Sequence, residues 1–174
     1  MKSLAYAGAV LWAGAGFAPI PAAAAGEILR NERVVVVEVR LAPQQEASWK
    51  GAHPAANVYF TEGLLEVAGS GGAPTRMSVQ RGQAEFVEPG SRTLKNLGPA
   101  EARFVHLEFL GAGSDEIWGT SGLSPAYKLL FENRYARVYD IRIPAGGREP
   151  QHSHRDRVVI CLSGAIMSHL LPDG

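Results

Sequence analysis

The sequence has one cysteine among its 174 residues and no excess of charge of either sign. A single cysteine allows no intrachain disulfide. Cys161 lies in an apolar run, where we expect a small buried hydrophobic residue and no nucleophile. The 17 basic side chains balance the 17 acidic ones, so nothing in the charge favours nucleic acid as a partner.

Long apolar runs are also scarce. The one such run, Leu4–Phe17, is shorter than the ~20 residues that a bilayer-spanning helix needs. It follows a positively charged start and precedes small residues and prolines that end before Gly26, which is typical of a secretory signal peptide. We therefore expect residues 1–25 to be a signal peptide, the protein to be periplasmic or secreted, and the mature chain to have no membrane contact.

The rest of the chain has the signature of strands. Val34–Leu41 ends in alternation, with Val37, Val39 and Leu41 on one face, and Val138–Ile143 repeats that pattern. Glycine and proline turn signals separate these strands from the others. The prediction is an all-β sandwich or barrel, with further short strands at 57–61, 64–67, 76–79, 84–87, 103–110, 157–162 and 165–170.

The chain also contains an internal duplication. Asn31–Leu41 (NERVVVVEVRL) matches Asn133–Ile143 (NRYARVYDIRI), and a block from His53 to Gly63 matches His154–Gly164 in the same order. The predicted domains are therefore a first repeat at 26–111, a linker at 112–127 and the first half of a second repeat at 128–174.

Half a barrel leaves strand edges and an apolar face uncovered. The sequence is then either a fragment of a longer protein, which we favour, or its half-repeat packs on the first barrel or on another subunit. A homodimer is one arrangement that would cover such edges.

Two motifs carry a resemblance to a known family. In the second repeat, Gly146 is followed by five residues, by His152-Ser153-His154, and by an apolar segment ending at Gly164, which resembles the first motif of the cupin superfamily. In the first repeat, GQAEFVEPG at 82–90, then Asn96 and an apolar strand at 105–109, resembles the second motif.

The resemblance implies a cupin-type jelly-roll β-barrel with an incomplete second copy, as in a truncated bicupin. It also implies a divalent metal held by histidines and a glutamate. His152 and His154 match two histidine ligands and would point to the same side of a strand. The expected glutamate is missing, with Asp156 in that neighbourhood, and the third histidine would lie beyond the end of the chain. A catalytic metal usually has three protein ligands, and only two can be named here. We therefore expect at most one metal ion (Fe, Mn, Zn, Ni or Cu) in the second repeat.

The first repeat matches the metal pattern less well. His53 stands at the second histidine, Gly51 at the first and Asn57 at the acidic ligand, while Arg92 and Thr93 stand at the third histidine. No metal is expected there. The barrel mouth instead offers a ligand pocket, for which we predict His53, Asn57, Tyr59 and Arg92.

In that pocket an arginine beside aromatic side chains would hold a carboxylate or sugar acid. For Trp49 and Phe60 we favour core packing over a role in the pocket, because aromatic side chains are routinely used for packing. His106 and Glu108 lie on the same face of a predicted strand. They are interpreted either as partly buried polar residues or as part of a solvated edge.

Two functions follow as hypotheses. The first is an exported cupin-domain protein with a degenerate metal site that binds a small molecule or is structural. The second is a metal-dependent cupin enzyme (oxygenase, isomerase or lyase) using the His152-x-His154 motif, with the metal as Lewis acid. The sequence assigns no catalytic residue, and a gene fragment without activity of its own is a third interpretation.

Overall fold

The computed structural model describes residues 25–69, 71–115, 124–150, 156–164 and 166. In these residues all regular secondary structure is β-strand, so that part of the chain has no helix long and apolar enough to span a membrane. The strands are β1 (Ala25–Arg30), β2 (Val34–Leu41), β3 (Glu46–Gly51), β4 (Ala55–Tyr59), β5 (Gly63–Gly69), β6 (Thr75–Val79), β7 (Ala84–Val87), β8 (Gly90–Asn96), β9 (Ala102–Phe109), β10 (Tyr127–Glu132) and β11 (Arg137–Ile141).

The first repeat consists of two antiparallel sheets with the core between them. One sheet has the order β1-β2-β9-β4-β7 and the other the order β3-β8-β5-β6. The main apolar cluster combines side chains of both sheets, among them Val39 and Phe104 from the first and Leu65 and Leu94 from the second. No strand pairing among the described residues joins the two sheets, so the barrel is not closed by hydrogen bonds. The all-β fold predicted from the sequence is confirmed.

The alternation predicted for β2 is confirmed as well. Val37, Val39 and Leu41 are buried in the main cluster, while Glu38 and Arg40 point away from it. Val36, on the outer face, is nevertheless buried, together with Val105 and Leu107. The five-stranded sheet that contains β2 and β9, called the central sheet below, is therefore apolar on both faces. Its outer face is kept from water only if another part of the chain packs on it.

The second repeat begins with a hairpin that matches the first hairpin pair for pair. The pair Ala25↔Val39 of β1 and β2 corresponds to Tyr127↔Ile141 of β10 and β11, and both ladders shift register after their third pair. The turns agree too. Asn31 Oδ1 accepts two backbone N–H bonds at 2.9 Å each, and Asn133 Oδ1 accepts two at 2.9 and 3.0 Å.

Parts of the second repeat cover the outer face of the central sheet. Ile160 packs against the cluster of Val36, Val105 and Leu107. The Tyr135 ring stacks on Phe86 and Phe109, with centroids 6.1 and 6.3 Å away. The half-repeat thus packs on the first barrel, which was one of the arrangements that the sequence left open.

The second repeat differs from the prediction after its hairpin. Residues 157–162, predicted as a strand, form none, and Cys161 is exposed where burial was expected. Their counterpart β4 is a strand because β7 and β9 bond to its two edges. No described residues of the second repeat form counterparts of β7 and β9, so residues 157–162 have no ladder to join. The strand predicted at 165–170 lies outside the described residues, apart from Ile166.

Candidate functional site

Polar side chains from four strands meet inside the first repeat. Strand pairing places Asn57 of β4 between His106 of β9 and Glu85 of β7 in one row across the sheet. Glu108 follows two residues after His106 on the same strand and therefore points to the same side. Arg92 approaches from β8 of the opposite sheet. Asn57, His106 and Glu108 are buried, while the side chains of Arg92 and Glu85 keep 17% and 18% exposure.

One carboxylate oxygen organises this cluster. Glu85 Oε1 accepts hydrogen bonds from Asn57 Nδ2 at 2.7 Å, from Tyr59 Oη at 2.7 Å and from Arg92 Nη2 at 2.8 Å. Because arginine only donates and an ionised carboxylate only accepts, the direction of each bond is determined.

These directions determine the tautomer of His106. The amide nitrogen of Asn57 faces Glu85, so its oxygen faces His106 Nδ1, 2.8 Å away. His106 must therefore carry its hydrogen on Nδ1 and, when neutral, present a lone pair at Nε2. That nitrogen lies 3.6 Å from Glu108 Oε1, beyond hydrogen-bond range.

The inner part of the site holds buried polar atoms without partners. At the inner end these atoms are His106 Nε2 and both carboxylate oxygens of Glu108. Arg92 Nε, nearer the exposed side of the cluster, is a fourth. The Trp49 ring packs edge-on against the His106 ring with centroids 5.6 Å apart and forms an apolar wall there. A buried polar group in a folded protein nearly always has a partner, so this concentration of unpaired atoms distinguishes the site from ordinary core.

Tyr59 marks the apolar end of the cluster. Burial raises the pKa of its hydroxyl above the ordinary value of 10, and the neighbouring Glu85 carboxylate raises it further. Tyr59 is therefore a neutral donor to Glu85, and it packs against Phe104 with ring centroids 5.3 Å apart.

The structure brings three of the four predicted pocket residues together. Asn57, Tyr59 and Arg92 all bond to Glu85, whereas His53 is half-buried before β4 and makes no hydrogen bond to the cluster. Trp49 packs in the main core and Phe60 against the outer cluster.

Sequence reasoning did not include Glu85, His106 and Glu108 in the pocket. The i, i+2 spacing of His106 and Glu108 was the available signal, and the structure shows that both are buried rather than on a solvated edge.

The residues of the first repeat do not fit the metal that the cupin resemblance implies. Asn57, at the acidic position, has its amide oxygen bonded to His106 and its amide nitrogen to Glu85. Arg92, at the third histidine position, brings a fixed positive charge that would repel a cation, and Thr93 bonds to Ser48 at 2.7 Å. In the described part of the chain no three His, Cys, Asp or Glu side chains are arranged to hold a metal.

The metal ligands predicted for the second repeat, His152 and His154, lie outside the described residues. Asp156, the acidic residue in that neighbourhood, is described. Its side chain is 76% exposed and pairs with Arg33 at 3.0 Å.

Comparison with known proteins identifies structural likeness only. No protein-family model matches the chain, and no curated protein matches it significantly. The chain is similar to a crystal structure of a cupin domain from Bordetella pertussis, at 25% identity and a TM-score of 0.46, over 49% of this chain and 90% of that one.

Two further solved structures show the same level of likeness. An uncharacterized conserved protein with a double-stranded β-helix domain from Klebsiella pneumoniae is 24% identical, with a TM-score of 0.43, over 51% of this chain and 76% of that one. An RmlC-like cupin from Shewanella frigidimarina is 13% identical, with a TM-score of 0.40, over 51% and 76%. With TM-scores below 0.5, these likenesses carry no argument about this chain.

Proposed function

We propose that this chain is an exported cupin-domain protein whose first repeat binds a small polar molecule in the barrel. The observation that carries the proposal is the group of buried, unpaired atoms on Arg92, His106 and Glu108. Leaving a buried donor or acceptor unpaired costs about 1–3 kcal/mol, and more when it is charged. A ligand that pairs with several of these atoms would recover that free energy on binding.

The two ends of the cluster have different chemistry. Arg92 offers an N–H donor at Nε and is still partly exposed, so it suits an acceptor such as a carboxylate or hydroxyl oxygen of the ligand. Glu108 offers acceptors, and so does His106 Nε2 when the imidazole is neutral. A molecule with both an acceptor and a donor group matches the site.

Arg92 also supports binding without a metal in this repeat. Its guanidinium supplies a positive charge where the family resemblance would otherwise have a metal ion, and Glu85 holds it in position at 2.8 Å. The metal-dependent enzyme hypothesis depends on His152 and His154 and stays a prediction about the second repeat.

The test uses mature protein purified from residue 26 onwards. An acid extract is analysed by mass spectrometry for a co-purified small molecule, and the protein is screened by thermal shift against organic acids, amino acids, polyols and amines. We expect at least one compound to raise the Tm of the wild type.

The matched variants are Arg92→Ala and Arg76→Ala, the latter an exposed arginine on β6. We expect Arg92→Ala to remove the ligand-induced rise in Tm and Arg76→Ala to keep it. The proposal is wrong if no compound co-purifies or raises the Tm, or if the rise persists unchanged in Arg92→Ala.

A further inference from the structure

We propose that the inner end of the site, formed by Glu108, His106 and Trp49, is a subsite for a primary ammonium group. The inference rests on the proposed function and names the chemical class of ligand that this end selects. Three observations carry it: the hydrogen-bonding capacity of the two polar side chains, the charges around them, and the number of donors available.

The subsite offers acceptors only. The chain of bonds from Glu85 through Asn57 places the ring hydrogen of His106 on Nδ1, so Nε2 faces Glu108 as a lone pair. The two carboxylate oxygens of Glu108 have no partner either. With the imidazole neutral and the carboxylate ionised, these acceptors are 3.6 Å apart and cannot satisfy each other, so a group placed between them has to donate to both. An ammonium group has three N–H donors and no acceptor.

The charges favour a cation over a neutral donor. Arg92 is paired with Glu85 at 2.8 Å. Arg30 is paired with Glu27 at 2.7 Å, and that hydrogen bond is the main cause of the raised pKa of Arg30, with a smaller contribution from Glu108. Among the described residues Glu108 has no arginine or lysine within ion-pair distance, and His106 Nε2, 3.6 Å away, pairs with it only when the imidazole is protonated. Since a buried charge is costly unless it is paired, a cationic ligand stabilises this end more than a hydroxyl does.

The same geometry argues against other occupants. A carboxylate ligand would add a second negative charge and more acceptors beside Glu108. A metal ion would find two side-chain ligands at this end, fewer than the three that metal sites usually have. Trp49 is buried and closes the subsite with a ring rather than with another ligand atom.

The test compares three probes that share a four-carbon chain and differ in the head group: n-butylammonium, butan-1-ol and butanoate. Binding to ¹⁵N-labelled mature protein at neutral pH is followed by NMR. The indole N–H resonance of Trp49 reports on the subsite, and the backbone amide resonance of the exposed Arg76 on β6 is the internal reference. We expect saturable shifts of the Trp49 resonance with butylammonium, at least fivefold weaker binding of butan-1-ol and no shift with butanoate.

Two variants then separate charge from packing. Glu108→Gln keeps the shape and removes the charge, and we expect about tenfold weaker binding of butylammonium with butan-1-ol unchanged within twofold. Glu62→Gln, on an exposed residue, is expected to bind all three probes as the wild type does. The amide spectrum of each variant establishes that it is folded.

The possible failures are distinct. Equal binding of butan-1-ol and butylammonium, saturable binding of butanoate, or full butylammonium affinity in Glu108→Gln overturns the ammonium subsite. In each of these cases Arg92-dependent binding of another compound leaves the proposed function standing. If no probe shifts Trp49 and no compound of the thermal-shift screen binds, both proposals are wrong.

Discussion

Replacing Glu108 by glutamine should stabilise the protein in the absence of ligand. Both carboxylate oxygens are buried without a partner, and His106 Nε2 faces one of them at 3.6 Å. Glutamine has nearly the same shape, carries no charge and brings an N–H donor. A side-chain movement of a few tenths of an ångström would let that amide donate to Nε2. The substitution therefore replaces a buried carboxyl group that has no hydrogen-bond partner and pairs a nitrogen that had none.

The expected magnitude follows from the cost of an unsatisfied buried polar group, about 1–3 kcal/mol. We expect the free energy of unfolding of Glu108→Gln to exceed that of the wild type by about 1–3 kcal/mol, with Tm rising by about 2–4 °C per kcal/mol. Urea denaturation followed by tryptophan fluorescence at pH 7 gives the first quantity and calorimetry the second. The slope with urea should not change, because the buried area is the same.

Glu62→Gln is the control, since an exposed glutamate should change stability by less than about 0.5 kcal/mol. A loss of more than about 1 kcal/mol in Glu108→Gln would refute the reasoning. It would mean that the carboxyl group of Glu108 is already compensated in the free protein, and the argument for a cationic ligand would lose its basis.

Three further outcomes are expected. Burial raises the pKa of Tyr59, so its neutral hydroxyl stabilises the folded state below pH ~10, and this stabilisation is lost as the pH rises further. When denaturation is measured between pH 8 and 11, the free energy of unfolding should therefore fall more steeply in the wild type than in Tyr59→Phe. Val39→Ala should lower the free energy of unfolding by about 2 kcal/mol and Ile141→Ala by less than about 1 kcal/mol. The two residues occupy equivalent hairpin positions, but Val39 is fully buried whereas Ile141 is 43% exposed, and equal losses would contradict this reasoning. N-terminal sequencing of protein recovered outside the cytoplasm should begin at Gly26, and an uncleaved chain would contradict the predicted signal peptide.

Local pattern was sufficient to predict the strands with strong alternation. The run of valines in β2 reads unambiguously because each second residue enters the core. Four strands, β1, β3, β8 and β10, were not predicted. For β3 and β8 the reason is that their sequences, EASWKG and GSRTLKN, are mostly polar or small. Each becomes a strand through its neighbour, as in the pairing of Trp49 with Arg92. That information lies in the partner strand and not in the segment itself.

The candidate site shows the same division. Asn57 and Arg92 were predicted from their places in the family pattern and Tyr59 as an aromatic residue at the barrel mouth, and all three bond to Glu85. Glu85, which joins them, stands within the second motif, where the sequence offered no reason to choose it over the other glutamate of the run, Glu88. Only strand register shows that Glu85 faces Asn57 across the sheet.

The sequence by itself determined the class of fold, the duplication and one strand of each hairpin, β2 and β11, because alternation is a local property that nearby residues decide. Tertiary structure decided where the polar side chains meet. β4 ends at Tyr59, well before β7 begins at Ala84, and β8 belongs to the opposite sheet, so only the packing of these strands brings Asn57, Glu85, Arg92 and His106 into one cluster. It also decided that Glu108 is buried without a partner, since burial is a property of the assembled barrel.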